Sequence, residues 1–319
     1  MSQIADGFNG EATAGVANGA KGARMEDMLA RLGPLPQDRP VLIAGPTASG
    51  KSAFALAIAR AQGRAVVNAD ALQVHARWRV LTARPGPEDE AAAPHLLYGH
   101  VAHDADYSTG HWLREVAAIL AREPHPVIVG GTGLYFAALT GGLAGIPPVP
   151  PGLRAEGMAL MDRAGIGALL EMLDAPTLAR IDTRNPMRVL RAWEVLRGTG
   201  RGLAAWQEET GPPLLPTGAA TPLVLRPDPG WLGARIDRRF DAMIAGGALD
   251  EVARELSRWD PAHPSARAIG AAELAAHLRG EITLDEAAAA ARTATRQYAK
   301  RQRTWFRSRM AGWRAIPLP

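Results

Sequence analysis

The sequence predicts an α/β fold in which a parallel sheet is flanked by helices, with an all-helical insertion domain and a helical C-terminus. Short apolar runs alternate with helical segments up to residue 144, and a run of the same kind returns at 221–227. The segment 145–211 breaks this alternation, because it opens with a proline-rich stretch and continues in helical patterns only. Strands that alternate with helices form parallel sheets covered on both faces, which gives the predicted architecture.

The predicted strands are runs rich in β-forming residues. They are VLIAG (41–45), AVVNAD (65–70), HLLYGHV (95–101), PVIVGG (126–131) and TPLVLRP (221–227). The insertion begins with GIPPVPPGLR and contains the helical runs GIGALLEML and NPMRVLRAWEVLRG. These limits predict a catalytic core of 39–144 and 212–319 and an insertion domain of 145–211. Residues 1–38, poor in large apolar side chains, are predicted to be a disordered leader followed by a short helix.

The composition of the 319 residues excludes several classes of protein. No cysteine is present, which rules out disulfides, thiolate catalysis and thiolate zinc sites. No apolar run approaches the roughly 18 residues of a membrane span, and no apolar secretory segment is seen, so a cytoplasmic protein without membrane attachment is expected. Basic residues number 36, of which only three are lysine. This bias toward arginine means that a basic cluster carries an argument only through its position.

A phosphate-binding loop follows the first predicted strand. Its residues match G-x-x-x-x-G-K-[ST] and are Gly45, Pro46, Thr47, Ala48, Ser49, Gly50, Lys51 and Ser52. Glycines let successive backbone N–H groups point at one anion, Lys51 adds a positive charge, and the Ser52 hydroxyl can hold Mg²⁺. The helix that begins here directs the positive end of its dipole at the same anion. A strand before the loop and a helix after it favour a P-loop NTPase-like core over an ordinary glycine-rich turn.

The loop by itself leaves the reaction open. Most P-loop proteins hold Mg²⁺ through an Asp that ends another apolar strand, and they transfer or hydrolyse a terminal phosphoryl group. Here PVIVGG ends in two glycines followed by Thr132, which favours close approach of a ligand, with a tight turn as the alternative. Asp70 follows another predicted strand at the edge where parallel sheets bind ligands. It is either a partner of Mg²⁺ or a general base for an acceptor.

The C-terminal helix is basic on one face. Between Ala287 and Pro319 there is no acidic residue. Cations recur there at helical spacing, namely Arg292, Arg296, Lys300, Arg303 and Arg307. Tyr298 and Trp305 lie on the other side, which predicts a helix that docks through aromatic residues and presents a basic stripe to a polyanion. A solvated charged face is the alternative, but such faces usually mix charges of both signs.

A second basic cluster lies in the insertion. Asn185 is predicted to cap a helix whose first residue is Pro186. Arg188 and Arg191 share a face of that helix, and Glu194 lies below Arg191. The cluster is therefore either part of a polyanion-binding surface or a site of intrahelical ion pairs.

An ordered series of motifs resembles one family, the tRNA dimethylallyltransferases, also called tRNA isopentenylpyrophosphate transferases. The motifs run through nearly the whole chain after residue 40 and are GPTASGKS, NADALQV, APHLL, VGGTGLYF, NPMRVLRAWEV, RIDRRFDAMIAGGALDEV, RAIGAAE and TRQYAKRQRTWFR. The resemblance implies transfer of a dimethylallyl group from dimethylallyl diphosphate to the exocyclic amine of the adenosine 3′-adjacent to the tRNA anticodon. It also implies Mg²⁺ as cofactor, an insertion that contacts tRNA, and a monomeric enzyme. The phosphate loop then holds a diphosphate that is a leaving group.

The resemblance assigns roles to individual residues. Asp70 is implied as the general base that accepts a proton from the amine, with Thr132 as its partner. The loop residues 45–52, Arg235 and Arg239 are implied to neutralise the diphosphate, with Ser52 holding Mg²⁺. The residues implied to contact tRNA are Asp70, Ala71, Leu72, Gln73, Thr132, Arg154, Met187, Arg188, Val189, Leu190, Arg191, Lys300, Arg301, Gln302, Arg303, Thr304, Trp305, Phe306 and Arg307.

Three positions or segments depart from the family pattern. The Ser that usually follows the catalytic Asp is Ala71 here, the Tyr two residues after the Gln is His75, and GTAKP appears as LTARP (81–85). These changes leave the phosphate loop and Asp70 intact but alter the expected surroundings of the target adenosine.

The main alternative function is a P-loop small-molecule or nucleotide kinase, which would consume ATP and ignore tRNA. The missing Asp after VIVGG and the acid-free C-terminal helix count against it. Two further alternatives are a nucleotide-gated RNA-binding module and an isopentenyltransferase that acts on free nucleotides. The insertion and the basic C-terminal helix favour a polymeric acceptor over a free nucleotide.

Overall fold

The structure is a computed structural model that describes residues 32–319 of the chain. Most of the predicted leader, residues 1–31, lies outside the described residues. The end of the predicted leader, 32–38, packs against the core. Leu32 is buried, and Arg64 donates a hydrogen bond of 2.7 Å to the Pro36 carbonyl oxygen.

Within residues 32–319, six parallel strands form one sheet. They are β1 Val41–Ala44, β2 Val66–Asn68, β3 His95–Leu96, β4 Val127–Gly130, β5 Thr221–Pro227 and β6 Arg314–Leu318, in the spatial order β3-β2-β4-β1-β5-β6. β1 lies between β4 and β5 and is buried along its whole length, as an all-apolar inner strand of a parallel sheet should be. The predicted α/β class with a parallel sheet is confirmed.

Helices surround the sheet and fill the insertion. They are α1 Lys51–Gln62, α2 Pro87–Ala92, α3 Thr109–Leu120, α4 Gly133–Gly141, α5 Gly152–Ala164, α6 Gly167–Leu170, α7 Ala175–Arg180, α8 Pro186–Thr199, α9 Leu203–Glu208, α10 Pro229–Ala245, α11 Ala248–Glu255, α12 Ala271–Leu278 and α13 Leu284–Arg309. Phe54 and Ile58 of α1 pack against strand residues such as Ile43 and Val129 in the largest core cluster. Among the described residues, no helix is long and apolar enough to cross a membrane.

The chain divides into two compact units. The second unit is Ala138–Pro216, and the first comprises the other described residues, 32–137 and 217–319. The second unit includes the predicted insertion 145–211 and extends beyond it at both ends. It is helical, with a core built around Leu169, Leu190 and Trp193.

Helix α8 of the second unit begins as the sequence predicts. Pro186 is its first residue, and the Asn185 side-chain oxygen accepts the N–H groups of Met187 (3.1 Å) and Arg188 (3.3 Å). The cap satisfies two donors that have no partner inside the helix.

Two strands differ from the sequence prediction. β3 ends at Leu96 instead of Val101, because Leu97 and Gly99 have positive φ angles of 63° and 59°, which an extended strand does not contain. The sequence does not predict β6, since Pro317 interrupts a short run near the end of the chain. The strand forms nevertheless because it lies at the edge of the sheet, where a residue without an N–H group is tolerated.

The ends of β2 and β4 approach each other closely at Gly130. A Cβ atom at this position would lie 1.9 Å from the Ala69 carbonyl oxygen. The Ala69 N–H donates to the Val129 carbonyl oxygen (2.7 Å), which holds the two segments at this distance. The glycine at the end of PVIVGG therefore has a packing reason, and it brings the turn at Asp70 beside the turn at Thr132.

We expect Gly130→Ala to lower the free energy of unfolding by about 1–3 kcal/mol, because the new methyl group must displace backbone and not a flexible side chain. Urea denaturation followed by circular dichroism measures the change. Gly312→Ala is the matched control, since nothing lies within 4 Å of an added Cβ atom there. Equal unfolding midpoints for the two variants would show that the close approach does not constrain the fold.

Candidate active site

One cleft of the first unit is lined by half of the residues predicted to be catalytic or to bind the diphosphate. The cleft is concave, opens to solvent, and is lined by both polar and apolar side chains, as small-molecule sites usually are. Its polar wall includes Thr47, Lys51, Ser52, Asp70, Arg239 and Tyr298. Its apolar wall includes Leu81, Ile236, Phe240, Met243 and Ile269. The cleft is therefore suited to a ligand with an anionic end and an apolar end.

The phosphate loop has the predicted curled backbone between β1 and α1. Gly50 has a φ of 92°, which glycine tolerates, and Ala48 has a φ of 61°, which strains a residue with a Cβ atom. Such strain is common at ligand sites. Since α1 begins at Lys51, the N–H groups of its first turn lie at the cleft without partners inside the helix. They form an anion-binding site.

Lys51 is a cation in a poorly solvated position. Burial lowers the pKa of Lys51 from 10.5 to about 8, with a smaller opposing effect of Asp70 and a further lowering by Arg239. Its Nζ lies 3.4 Å from the Pro46 carbonyl oxygen. An anionic ligand in the loop would replace the lost solvation and stabilise the charged form.

Two arginines of α10 contact the phosphate loop. Arg235 Nε donates to the Ala48 carbonyl oxygen (2.8 Å), and Arg239 donates to the Thr47 hydroxyl (3.4 Å). Burial lowers the pKa of Arg239. Together with Lys51, these side chains place three cations around the loop, as the predicted diphosphate site requires.

Asp70 lies in a turn that orients its carboxylate. Asn68 Oδ1 accepts the Asp70 N–H (2.9 Å), and the Leu72 N–H donates to Asp70 Oδ1 (3.0 Å). Within residues 32–319, Asp70 Oδ2 has no hydrogen bond. It faces Gly131, where a Cβ atom would lie 3.3 Å away. One oxygen is therefore fixed, and the other is available to accept a proton or to bind a cation.

Thr132 contacts the turn that carries Asp70. Its Oγ1 accepts the Ala71 N–H (2.9 Å), and its own N–H donates to the Ala69 carbonyl oxygen (3.2 Å). Because Asp70 lies between these two residues, Thr132 fixes the position of the carboxylate through the backbone.

Gln302 joins the phosphate loop to the end of β4. The Thr47 N–H donates to Gln302 Oε1 (2.8 Å), and Gln302 Nε2 donates to the Gly131 carbonyl oxygen (2.9 Å). Its side chain is buried and both of its polar ends are used. The implied contact between the Gln302 side chain and tRNA is therefore corrected, because this side chain organises the loops inside the core.

The segment after Asp70 is held by a buried carboxylate that the sequence gives no signal for. Glu251 of α11 accepts the N–H groups of Val80 and Leu81 (both 3.0 Å). Gln73 Nε2 donates to the Thr82 carbonyl oxygen (2.8 Å), so the two ends of the segment are also joined. Since Gln73, Leu81 and Thr82 line the cleft, these contacts shape one of its walls.

His75, a departure from the family pattern, faces the interior. Its ring is buried, and Nδ1 lies 3.1 Å from the Ala102 carbonyl oxygen. Burial lowers the pKa of His75, which favours the neutral ring. The His75 ring is not part of the cleft wall.

The basic stripe of α13 is neutralised in its first half and uncompensated in its second. Arg292 pairs with Asp241, and Arg296 pairs with Asp237, both on α10. Further along the helix, cations without a hydrogen-bond or ion-pair partner among residues 32–319 are Lys300, Arg303 and Arg307. The part of the stripe available to a polyanion is therefore shorter than the spacing predicts.

The aromatic residues of α13 point toward the rest of the first unit and not into solvent. Tyr298 lines the cleft, and burial raises its pKa. The ring of Trp305 covers Gly133, where a Cβ atom would lie 2.3 Å from it. Phe306 is buried, so the implied tRNA contact is wrong for its side chain. Arg301 and Thr304 are exposed, as contact with a polyanion requires.

The insertion contributes fewer free cations than expected. Arg154 and Arg191 both pair with Glu194, at 3.1 and 3.4 Å. The ion-pair alternative is therefore confirmed for Arg191. Arg188 and Met187 are exposed and remain available for a ligand.

Val189 and Leu190 are core residues of the second unit. Both side chains are fully buried. Their implied contact with tRNA is wrong for the side chains, because residues on the apolar face of α8 pack against the other helices of that unit.

Comparison with known families places most of the chain in a single group of enzymes. The family described as IPP transferase matches residues 73–309, and the family described as isopentenyl transferase matches residues 39–92. The two matches together include the phosphate loop, Asp70 and the basic part of α13.

Two relatives match at least nine tenths of this chain. A tRNA dimethylallyltransferase of Cereibacter sphaeroides is 66% identical over 291 residues, which covers 91% of this chain and 93% of the relative. One of Dinoroseobacter shibae is 62% identical over 288 residues, covering 90% and 97%.

Two solved structures have the same architecture. The full-length tRNA isopentenylpyrophosphate transferase of Bacillus halodurans has a TM-score of 0.62 at 28% identity and covers 88% of this chain and 90% of its own. A eukaryotic dimethylallyltransferase acting on tRNA has a TM-score of 0.74 at 23% identity, with coverages of 87% and 73%, and it supports the fold.

We expect Gln302→Met to weaken binding of inorganic pyrophosphate about 5- to 30-fold, because the loop loses its tie and two buried polar groups lose a partner, at a cost of about 1–2 kcal/mol. Isothermal titration calorimetry with Mg²⁺ present measures the affinity. Gln207→Met, at an exposed position of α9, is the matched control. Unchanged affinity in Gln302→Met would mean that the loop keeps its shape without this side chain.

Proposed function

We propose, since this chain belongs to the IPP transferase family, that it transfers a dimethylallyl group from dimethylallyl diphosphate to tRNA. The acceptor is the exocyclic amine of the adenosine 3′-adjacent to the anticodon, and the products are isopentenyladenosine and diphosphate. One observation carries the proposal. A single cleft brings together a phosphate loop, a carboxylate with an uncommitted oxygen, and an apolar wall.

The donor fits the two halves of the cleft. Its diphosphate binds the phosphate loop, where Lys51, Arg235 and Arg239 neutralise the negative charge that grows as the carbon–oxygen bond breaks. Its five-carbon chain lies against the apolar wall, whose Ile236 and Phe240 are one helical turn apart on α10.

Asp70 acts as the general base. The exocyclic amine of adenosine is a weak nucleophile, because its lone pair is delocalised into the ring. A carboxylate that accepts the amine proton while the carbon–nitrogen bond forms restores reactivity, typically by about 10²- to 10⁴-fold. The uncommitted Oδ2 is the oxygen suited to this role.

The residues at the loop fit Mg²⁺ as cofactor. The Ser52 hydroxyl is exposed in the cleft at the first turn of α1, and Mg²⁺ prefers oxygen ligands that it shares with substrate phosphates. Among residues 32–319, no three His, Cys, Asp or Glu side chains form a metal site of their own. We propose that Ser52 would hold Mg²⁺ together with the diphosphate, and that the ion would add positive charge at the leaving group.

The acceptor reaches the cleft from outside the protein core. The target base must leave its stack, at a cost of a few kcal/mol that is least in a single-stranded loop such as the anticodon loop. Exposed cations on α13 attract the tRNA backbone. The proposal includes a monomeric enzyme, since one chain carries both the loop and Asp70 at the same cleft. It also places the enzyme in the cytoplasm, where its tRNA substrate is found.

We expect purified protein with Mg²⁺, bulk tRNA and radiolabelled dimethylallyl diphosphate to place label in the RNA. Replacing tRNA with free adenosine monophosphate should give no labelled nucleotide, which separates this enzyme from one acting on free nucleotides. A parallel reaction with γ-labelled ATP tests the kinase alternative. The proposal fails if the prenyl donor stays intact while a small molecule becomes phosphorylated.

We expect Asp70→Asn to lower kcat about 10²- to 10⁴-fold, because the amide cannot accept the amine proton. The KM for tRNA should change little, since the basic surfaces are intact. Asp38→Asn is the control, as Asp38 is exposed and pairs with Arg39 outside the cleft. Recovery of the Asp70→Asn rate at high Mg²⁺ would assign Asp70 to metal binding and not to proton transfer.

A further inference from the structure

A second cavity of the first unit lies between β5 and α13. Its floor is apolar and consists of Val224, Leu225, Pro227 and Phe306. Its rim carries three arginines, Arg226 from β5 and Arg303 and Arg307 from α13. Arg303 and Arg307 are four residues apart and so lie on the same face of their helix. Two elements distant in sequence thus direct three guanidinium groups to one small cavity.

The cavity lies at the same edge of the sheet as the phosphate loop. β1 and β5 are parallel, and Ala44 at the end of β1 pairs with Val224. Arg226 is therefore level with the start of the phosphate loop. The two segments are close there, since a Cβ atom added at Gly45 would lie 3.1 Å from Leu225 Cβ. The α13 side of the cavity is also next to the phosphate loop, because Gln302, which binds the loop, directly precedes Arg303.

The three guanidinium groups are uncompensated. Among residues 32–319 none of them has a hydrogen-bond or ion-pair partner. The acidic residue nearest in sequence to Arg226 is Asp228, and its carboxylate caps α10 by accepting the Gly230 and Trp231 N–H groups (2.8 and 2.9 Å).

Other arginines on α13 do have ion-pair partners. Arg292 and Arg296 on the same helix each have an Asp partner on α10. Like charges that converge on one cavity repel each other, and the apolar floor lowers the screening by water. Such an arrangement gains stability when an anion with several acceptor oxygens enters it.

We propose that Arg226 of β5 completes, with Arg303 and Arg307, which the family resemblance already assigns to tRNA, a binding pocket for one backbone phosphate of the RNA substrate. A phosphate group accepts hydrogen bonds from more than one guanidinium, and the planar fork of arginine matches the geometry of its oxygens. Contacts of this kind fix the register of a nucleic acid on a protein without reading its sequence. The pocket adjoins the phosphate loop, so it positions the RNA relative to the donor. The inference rests on the proposed transfer to tRNA.

The experiment measures tRNA binding as a function of salt for wild type, Arg226→Gln and the triple variant Arg226→Gln, Arg303→Gln, Arg307→Gln. The slope of log affinity against log salt should become smaller by about 1 for each phosphate contact that is lost. We expect Arg226→Gln to raise the KM for tRNA while kcat at saturating tRNA stays at the wild-type value. Arg226→Lys should recover part of the affinity, because it keeps the charge but loses the planar fork.

Arg60→Gln is the matched control. It removes the same charge from the last turn of α1, which starts at the phosphate loop and so ends at the opposite edge of the sheet. Its salt slope should equal that of wild type. An equal slope change in Arg60→Gln and Arg226→Gln would reduce the effect to net charge and overturn the pocket.

Three outcomes separate this inference from the proposed function. A wild-type enzyme that prenylates tRNA, together with an Arg226→Gln variant of unchanged slope and KM, overturns the pocket alone. A wild-type enzyme that binds tRNA but transfers no prenyl group overturns the proposed function. If inorganic phosphate binds to wild type but not to the triple variant, while the tRNA affinity of the two proteins is equal, the pocket belongs to a free anion and not to RNA.

Discussion

Gln302 satisfies two buried backbone groups at once, the Thr47 N–H and the Gly131 carbonyl. The parallel sheet places the loops after β1 and β4 side by side, and the Gln302 amide then joins them by a hydrogen bond to each. A buried polar group without a partner costs about 1–3 kcal/mol, so both loops adopt the conformation that the amide permits. Because Gln302 belongs to α13, the helix that carries the cations Lys300 and Arg303 also fixes the phosphate loop.

The charges at the phosphate loop favour the diphosphate that we propose as its ligand. Lys51 and Arg239 are both poorly solvated. Arg239 lowers the pKa of Lys51, and Arg235 lowers the pKa of Arg239, so the neighbouring cations destabilise each other's charged forms. Asp70 compensates only part of this repulsion. A diphosphate removes the remainder, so the free protein stores an electrostatic cost that binding of the donor relieves. The same interaction becomes stronger as the leaving group acquires charge, which is the condition for catalysis by differential binding.

The sequence predicts those features that depend on neighbouring residues. The phosphate loop is one continuous segment of eight residues, and Asp70 follows its strand directly, so spacing alone places both at the carboxyl edge of the sheet. Contacts between distant segments are not visible in this way. Glu251 binds a turn near residue 80, and the Asp partners of Arg292 and Arg296 become evident only when α10 and α13 pack together.

A motif also does not separate the buried from the exposed members of a helix. Val189 and Leu190 stand beside Arg188 in the sequence, but the helical period turns them into the core of the second unit. The same reasoning applies to Phe306 beside Arg307. Resemblance to a family identifies the segment that contacts the ligand, while packing decides which of its side chains are free to do so.

Gly130 and Gly131, at the C-terminal end of β4, leave no room for an acidic side chain, and this bears on which reaction the site can catalyse. An Asp at Gly130 is excluded by the Ala69 backbone, since even a Cβ atom would lie 1.9 Å from its carbonyl oxygen. If Gly131 were Asp, its Cβ atom would lie 2.4 Å from Gln302 Nε2 and 3.3 Å from Asp70 Oδ2. The Asp would therefore displace the Gln302 amide and bring two carboxylates close together. The packing that positions Asp70 at the cleft therefore leaves no room for the carboxylate with which most P-loop enzymes hold Mg²⁺. A loop shared with phosphoryl-transfer enzymes thus stands next to the carboxylate that we propose as the base for carbon transfer, and the close contact at the ends of β2 and β4 makes the two arrangements mutually exclusive.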